Sequence, residues 1–279
     1  MSEGRNLGGN YIVDLGLKGR TALVLGGSKG IGRATCRELA QAGANIAIVA
    51  RTQATIDDAV AEMQGLGVRA VGISADLFDI NSYEKVIATC TEKLGAPDIA
   101  IYNLDPPPPG SFADVNEEML AEAFRIVVLN YSRLLRLVLP HMRAQKWGRI
   151  VTIGSGTAKQ LVRSSLNFGY VLANSTRVAA AALAKTVAAE VAGDGVTINT
   201  IGTGLIASSQ SSAWIHARAQ EAGVTDEQFA AGMVSHIPAG RQGKPEEMAS
   251  LAAYLCSNRA SYTTGETILC DGGMTNSIL

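Results

Sequence analysis

Short runs of Val, Ile, Leu and Ala alternate with longer segments in which apolar residues return every three to four positions, and the alternation continues from residue 21 to residue 273. An apolar run without polar interruption fits a strand buried on both faces, whereas the longer spacing fits an amphipathic helix. On this basis TALVLGG (21–27), NIAIVAR (45–51), RAVGISAD (69–76), PDIAIYN (97–103), GRIVTIGS (148–155), GVTINTIG (195–202) and ETILCDGG (266–273) are predicted strands. Helices are predicted over 30–43, 53–66, 79–94, 115–146, 170–192 and 244–257. The first stops at Gly43, and the last has Pro245 in its first turn beside Glu246 and Glu247, which is the usual chemistry of those positions. Strand–helix alternation of this kind calls for an α/β fold: a doubly wound parallel sheet of about seven strands with helices on both faces.

No shift in composition marks a second domain, so residues 17–279 are expected to form one domain behind an N-terminal extension, 1–16. Segment 205–236 is polar and rich in small residues; it reads as one or two mobile helices over a substrate pocket. The four prolines 106–109 exclude helix and inner strand and predict a stiff lip at the carboxyl end of the fourth strand. Ligands sit at that edge in open α/β sheets.

Composition narrows the partners. The chain is 47% apolar with a formal net charge of −1, which gives no electrostatic case for nucleic acid or an anionic membrane. Arg125, Arg133, Arg136, Arg143, Lys146 and Arg149 are spread as on the wet side of a helix. The cysteines 36, 90, 256 and 270 are far apart, and His141, His216 and His236 are isolated, so no metal site is expected. The N-terminus lacks the apolar core of a signal peptide and no apolar run is long enough to span a bilayer. The expected setting is cytoplasmic.

The first chemical signal is LGGSKGIGRA, with Gly26, Gly30 and Gly32 between the first strand and the first helix. Glycines at that turn let backbone amides and the helix dipole approach a pyrophosphate. Their G-x-x-x-G-x-G spacing, together with SADLFD, VLNYSRLLRLVLPHM, GRIVTIGS, DGVTINTIGTGLIAS, IPAGRQGKPEEMASLAAYLCS and SYTTGETILCDGG, resembles the short-chain dehydrogenase/reductase family over nearly all of residues 17–275. Within it the chain is most similar to a divergent branch of the 3-oxoacyl-carrier-protein reductase-like group. The resemblance implies a Rossmann-type fold, a nicotinamide cofactor and dimers or tetramers assembled through helices 115–146 and 170–192 and the last strand.

The cofactor is expected to be NADP(H). Where an acid after the second strand would bind the NAD ribose, Arg51 stands instead, and Lys29 adds a second cation. A guanidinium grips a 2′-phosphate that a carboxylate would repel. By resemblance Ser28 and Ile31 belong to the phosphate loop, Asp76 and Leu77 border the adenine, and Asn103 lies along the ribose. Thr203, Gly204 and Ser208 complete the nicotinamide end.

The family's reaction uses a Ser, a Tyr and a Lys with an Asn behind them. Ser155 matches the Ser, Asn130 the Asn and Tyr170 the Tyr, but Asn174 occupies the lysine position. A free phenol titrates near ~10, and bringing it to neutrality takes roughly 4 kcal/mol of phenolate stabilisation, which a neutral amide does not supply. Two cations stand in line: Lys159, four residues after Ser155, and Arg177, on the Tyr170 side of the helix two turns on. Trp214 reads either as packing or as a closing side chain, and Tyr102 and Tyr131 read as residues at the edge of the core.

These readings converge on an NADP-dependent oxidoreductase of the alcohol–carbonyl type, moving hydride between nicotinamide and a small or acyl-linked ketone or secondary alcohol. The alternative is an NADP-binding protein of the same fold with little or no redox turnover, because Asn174 replaces the lysine. A third reading keeps the cofactor for dehydration or epimerisation.

Overall fold

The computed structural model describes residues 13–161 and 169–278. Most of the expected N-terminal extension lies outside them. Seven strands form one sheet in the order β3-β2-β1-β4-β5-β6-β7, and every pairing is parallel. They are β1 (Thr21–Leu25), β2 (Asn45–Ala50), β3 (Ala70–Ser74), β4 (Ile99–Tyr102), β5 (Gly148–Ile153), β6 (Val196–Thr203) and β7 (Thr267–Cys270). All but β6 are shorter than their apolar runs, because pairing ends where the chain turns towards the next helix, and β6 keeps the length of its run one residue further on.

Helices α1 (Gly30–Gln41), α2 (Gln53–Gly65) and α9 (Pro245–Cys256) share one core with one face of the sheet. Helices α3 (Ser82–Leu94), α5 (Asn130–Ala144) and α6 (Val171–Val191) share the other. The central strands are buried on both sides: Leu23, Val24, Ile46, Ile48, Ile99 and Ile101 have no exposed surface. This is why their sequences carry no alternation.

The segment expected as one helix over 115–146 is divided. Helix α4 (Glu117–Phe124) runs into a π-turn at Arg125–Leu129 and then into α5. Segment 205–236 holds two helices, α7 (Ser209–Ala222) and α8 (Asp226–Val234), and Trp214 packs edge-on against Phe229 between them at 5.8 Å. Arg149 is not on a wet helix face. It lies on β5, 2% exposed, stacks on Trp147 at 4.4 Å, and donates to the carbonyls of Gly148, Gly195 and Ser257. Cys36, Cys90 and Cys256 are buried, Cys270 is half-buried, and all four are free thiols. No described helix is long and apolar enough to cross a membrane.

Candidate active site

The sheet changes winding direction at β1, which pairs with β2 on one side and β4 on the other. The carboxyl ends of β1 and β4 therefore face a crevice between the two halves, the usual ligand position in such sheets. Gly26 leaves β1 at φ +69°, where a Cβ would lie 2.3 Å from the Asn103 carbonyl oxygen. A Cβ on Gly32 would lie 2.1 Å from the Gly26 carbonyl oxygen. Asn103 closes the cluster by donating from Nδ2 to that same oxygen at 3.2 Å. Gly30 is different. At φ +51° its Cβ would meet nothing within 4 Å, so the chain leaves open space above the start of α1. The N-cap of that helix is the exposed Lys29, whose side chain makes no capping hydrogen bond. Ile31 packs against the core beneath, and buried Ser28 accepts a hydrogen bond from Thr55 Oγ1 at 3.2 Å. A rigid turn, uncapped helix amides and an open cradle fit the pyrophosphate of a dinucleotide.

At the outer end of the crevice Arg51 is 62% exposed, forms an ion pair of 3.4 Å with Asp105 of the proline lip, and stacks on Phe78 at 5.4 Å. Asp76 Oδ1 accepts from the Phe78 amide at 3.0 Å. The carbonyl of buried Leu77 accepts from Tyr83 Oη at 3.1 Å and from Asn130 Nδ2 at 2.9 Å. Asn130 follows the π-turn, is fully buried, and spends its NH2 group on the Leu77 and Phe78 carbonyls. Its side chain thus ties α5 to the loop after β3, and among the described residues its Oδ1 has no hydrogen-bond partner.

At the inner end Ser155 follows β5 in extended conformation, and its Oγ accepts from the Thr157 amide at 3.2 Å. Thr203 Oγ1 donates to the Gly154 carbonyl at 3.1 Å, joining the ends of β5 and β6. A Cβ on Gly204 would lie 2.7 Å from Asp271 Cα. Ser208 caps α7, accepting from the Ser211 amide at 3.0 Å. Tyr170 is the N-cap of α6 and forms an isolated parallel bridge with Gly110 of the lip. Burial pushes its phenol above the ordinary range, and no cation among the described residues offsets this. No hydrogen bond among the described residues joins Tyr170 to Ser155.

The expected replacement cations part company. Lys159 is exposed, whereas Arg177 is 8% exposed and donates from Nη1 to the Ile153 carbonyl at 3.5 Å. Asn174 is half-buried one turn earlier on α6. Arg177 lines a small cavity together with Tyr102, Thr152, Ser155 and Thr200. Its charge acts on Tyr102 rather than on Tyr170, and burial of the Tyr102 phenol outweighs it. Tyr102 and Tyr131, expected at the edge of the core, are buried within it. Sequence reasoning missed Asp105 as the partner of Arg51, and it missed Thr152 as part of the Ser155 surroundings. Alternation along β5 carries both Thr152 and Gly154 to the cavity, and this signal was legible once the strand was placed.

A family model described as enoyl-(acyl carrier protein) reductase matches residues 26–275. Human dehydrogenase/reductase SDR family member 4 is 32% identical over 259 residues, covering 92% of this chain and 88% of the relative. The 3-oxoacyl-[acyl-carrier-protein] reductase of Vibrio harveyi is 31% identical over 260 residues, covering 93% and 99%. The crystal structure of L-sorbose reductase from Gluconobacter frateurii, complexed with NADPH and L-sorbose, superimposes with a TM-score of 0.89 at 28% identity, covering 95% of this chain and 100% of that one.

Proposed function

The chain belongs to the short-chain dehydrogenase/reductase family and is an NAD(P)-dependent oxidoreductase, and from that premise we propose that it is an NADP(H)-dependent carbonyl reductase acting on a small or acyl-linked ketone. The observation that carries this reading is the open cradle at Gly30, braced by Gly26, Gly32 and Asn103, on the same sheet edge as the Ser155 hydroxyl. When bound, the nicotinamide supplies the hydride. Ser155 donates a hydrogen bond to the carbonyl oxygen, since the Thr157 amide occupies its acceptor side and leaves its own proton free. Tyr170 donates the proton. Thr203, Gly204 and Ser208 shape the nicotinamide end, and α7 and α8 the substrate side. Self-association is part of the reading and is supported by exposed apolar side chains at Leu120, Phe124, Leu129 and Val178.

The phenol of Tyr170 sets the direction of the reaction. Its pKa lies above the ordinary value near ~10, so the acid form needed for reduction is present throughout the neutral range. The phenolate needed to accept a proton in oxidation is scarce there and increases about tenfold for each unit that the pH rises towards that pKa. Ketone reduction should therefore be flat between about pH 6 and 9, while alcohol oxidation rises with unit logarithmic slope across the same range. An oxidation plateau near neutrality would reveal a cation beside the phenol and end this account. Tyr170→Phe should lower reduction by about tenfold, below the ordinary range for an assisted general acid; undiminished turnover would remove Tyr170 from the reaction.

Preference for NADPH rests on Arg51. A charge-assisted contact to a phosphate is worth about 1.5–3 kcal/mol, and the exposed pair with Asp105 that it displaces about 0.2–1 kcal/mol. Exchange is therefore favourable. Arg51→Asp should weaken NADPH by about 10–100-fold and leave NADH nearly unchanged, read by fluorescence titration of both. Equal losses for the two cofactors would show that Arg51 does not read the phosphate.

Asn174 in place of a cation, together with the raised Tyr170 phenol, also supports a second reading, a dinucleotide-binding protein without turnover. Tight NADPH binding with no reaction across a panel of ketones would select it.

A further inference from the structure

Among the described residues Arg177 has no counter-charge. It is more than nine-tenths buried on α6, and its hydrogen bond to the Ile153 carbonyl is at the long limit. Among the described residues no carboxylate pairs with it, and the stretch 162–168, VRSSLNF, contains no acid. A guanidinium offers five donors, and a buried charge left without compensation is strongly destabilising. A second observation comes from across the same space. Thr152 Oγ1, in the cavity wall, is buried without a well-aligned hydrogen-bond partner among the described residues, and the only polar side chain found interacting with it is the Tyr131 hydroxyl behind the wall. Arg177, Thr152 and Ser155 line one cavity of about 10 Å³, room for a single water or an atom of similar size. Ser155 is a half-buried residue of this lining and follows β5 at the sheet's carboxyl edge. Its acceptor side is taken by the Thr157 amide, so it offers the space a donor. Tyr102, also in the lining, donates to the Ile126 carbonyl instead. The space is thus walled by one fixed positive charge and hydroxyl donors, with no negative group.

We propose that this cavity is a single-atom anion pocket, with Arg177 as its charge and Ser155 and Thr152 as its hydroxyl donors, and that the carbonyl oxygen of the substrate settles at it as negative charge develops. The site then carries its cation beneath the oxygen-binding serine rather than beside Tyr170. The identity of the oxygen rests on the carbonyl-reductase reading; the pocket itself does not.

Bromide is the probe. Crystals of the protein without cofactor, soaked in bromide, should show an anomalous peak within hydrogen-bond reach of the Arg177 guanidinium and Ser155. Arg177→Met should abolish the peak, Arg177→Lys should keep it at lower occupancy, and Thr152→Val should weaken bromide binding several-fold. In solution bromide should inhibit ketone reduction in competition with the ketone and not with NADPH, at about tenfold higher concentration in the Arg177→Lys variant. A well-ordered water in the cavity with no bromide at any concentration overturns the pocket, as does a peak that survives Arg177→Met. Should Arg177→Met fail to fold, the lysine and valine variants decide by the same readout: unchanged bromide affinity in both overturns the proposal. A protein that binds bromide there yet reduces no ketone loses the carbonyl-reductase reading and keeps the pocket. Inhibition that is not competitive with the ketone removes the substrate oxygen from it.

Discussion

Gly30→Ala should abolish most NADPH binding while leaving the folded protein largely intact, and Gly32→Ala should damage both. The two glycines lie two residues apart in the same loop but meet different demands. A Cβ at Gly30 projects into open space, so the cost to the cofactor-free fold is the left-handed backbone alone, about 1–2 kcal/mol. That space is the cradle, and a methyl group there holds phosphate oxygens away from the amides at the start of α1. Losing one or two charge-assisted bonds at about 1.5–3 kcal/mol each corresponds to roughly 100-fold in affinity. A Cβ at Gly32 lies 2.1 Å from the Gly26 carbonyl oxygen and 2.9 Å from Asn103 Nδ2. Backbone cannot yield there without opening the turn between β1 and α1, so the cost reaches the top of the overpacking range, about 3 kcal/mol. NADPH fluorescence titration beside thermal unfolding separates the two cases. Gly30→Ala binding NADPH within about threefold of the parent would show that the open space is not the pyrophosphate site.

The loop was legible because its demands fall on the backbone, and backbone demands select glycine at fixed local positions. The seven strands were legible for a similar reason: a strand buried on both faces must be apolar at every position, and Leu23–Leu25 or Ile46–Val49 have no other explanation. Arginines behave differently. Arg149 and Arg177 read as solvent-facing charges by default, and their burial depends on what packs across from them: Trp147 and a set of carbonyls for one, the Ser155 cavity for the other. No local pattern encodes that. The π-turn at Arg125–Leu129 was hidden as well, since one wider turn inside an amphipathic stretch barely disturbs the apolar spacing. It matters because Asn130 follows directly, and its amide holds the loop that carries Asp76 and Leu77.

The departures from the family's pattern have a common physical direction. Half-buried Asn174 stands on α6 where the family's pattern has a cation, and Arg177 places one in the interior three residues later. On the proposal above, charge is retained in the region but moves from the tyrosine to the serine.

That shift makes Ser155 the side chain with the most to lose. Ser155→Ala should lower kcat for ketone reduction by about 10²–10³-fold, the range for removing one preorganised donor to a developing oxyanion. The serine is held in place on both sides. A Cβ at Gly154 would lie 2.6 Å from Thr200 Cγ2, Gly156 is buried, and the Thr157 amide fixes the hydroxyl. The donor is therefore oriented before substrate arrives and incurs little ordering cost during the reaction. Removing it sacrifices one partly buried hydrogen bond, about 1 kcal/mol of stability, and leaves the cradle at Gly30 untouched. NADPH affinity should change by less than about twofold, and the bromide site should persist, since Arg177 remains. Stopped-flow measurement of hydride transfer, with NADPH titration on the same preparation, tests the separation. A fall in cofactor affinity that matches the fall in turnover would assign Ser155 to the loop's architecture, and a variant that turns over normally would exclude it from the chemistry.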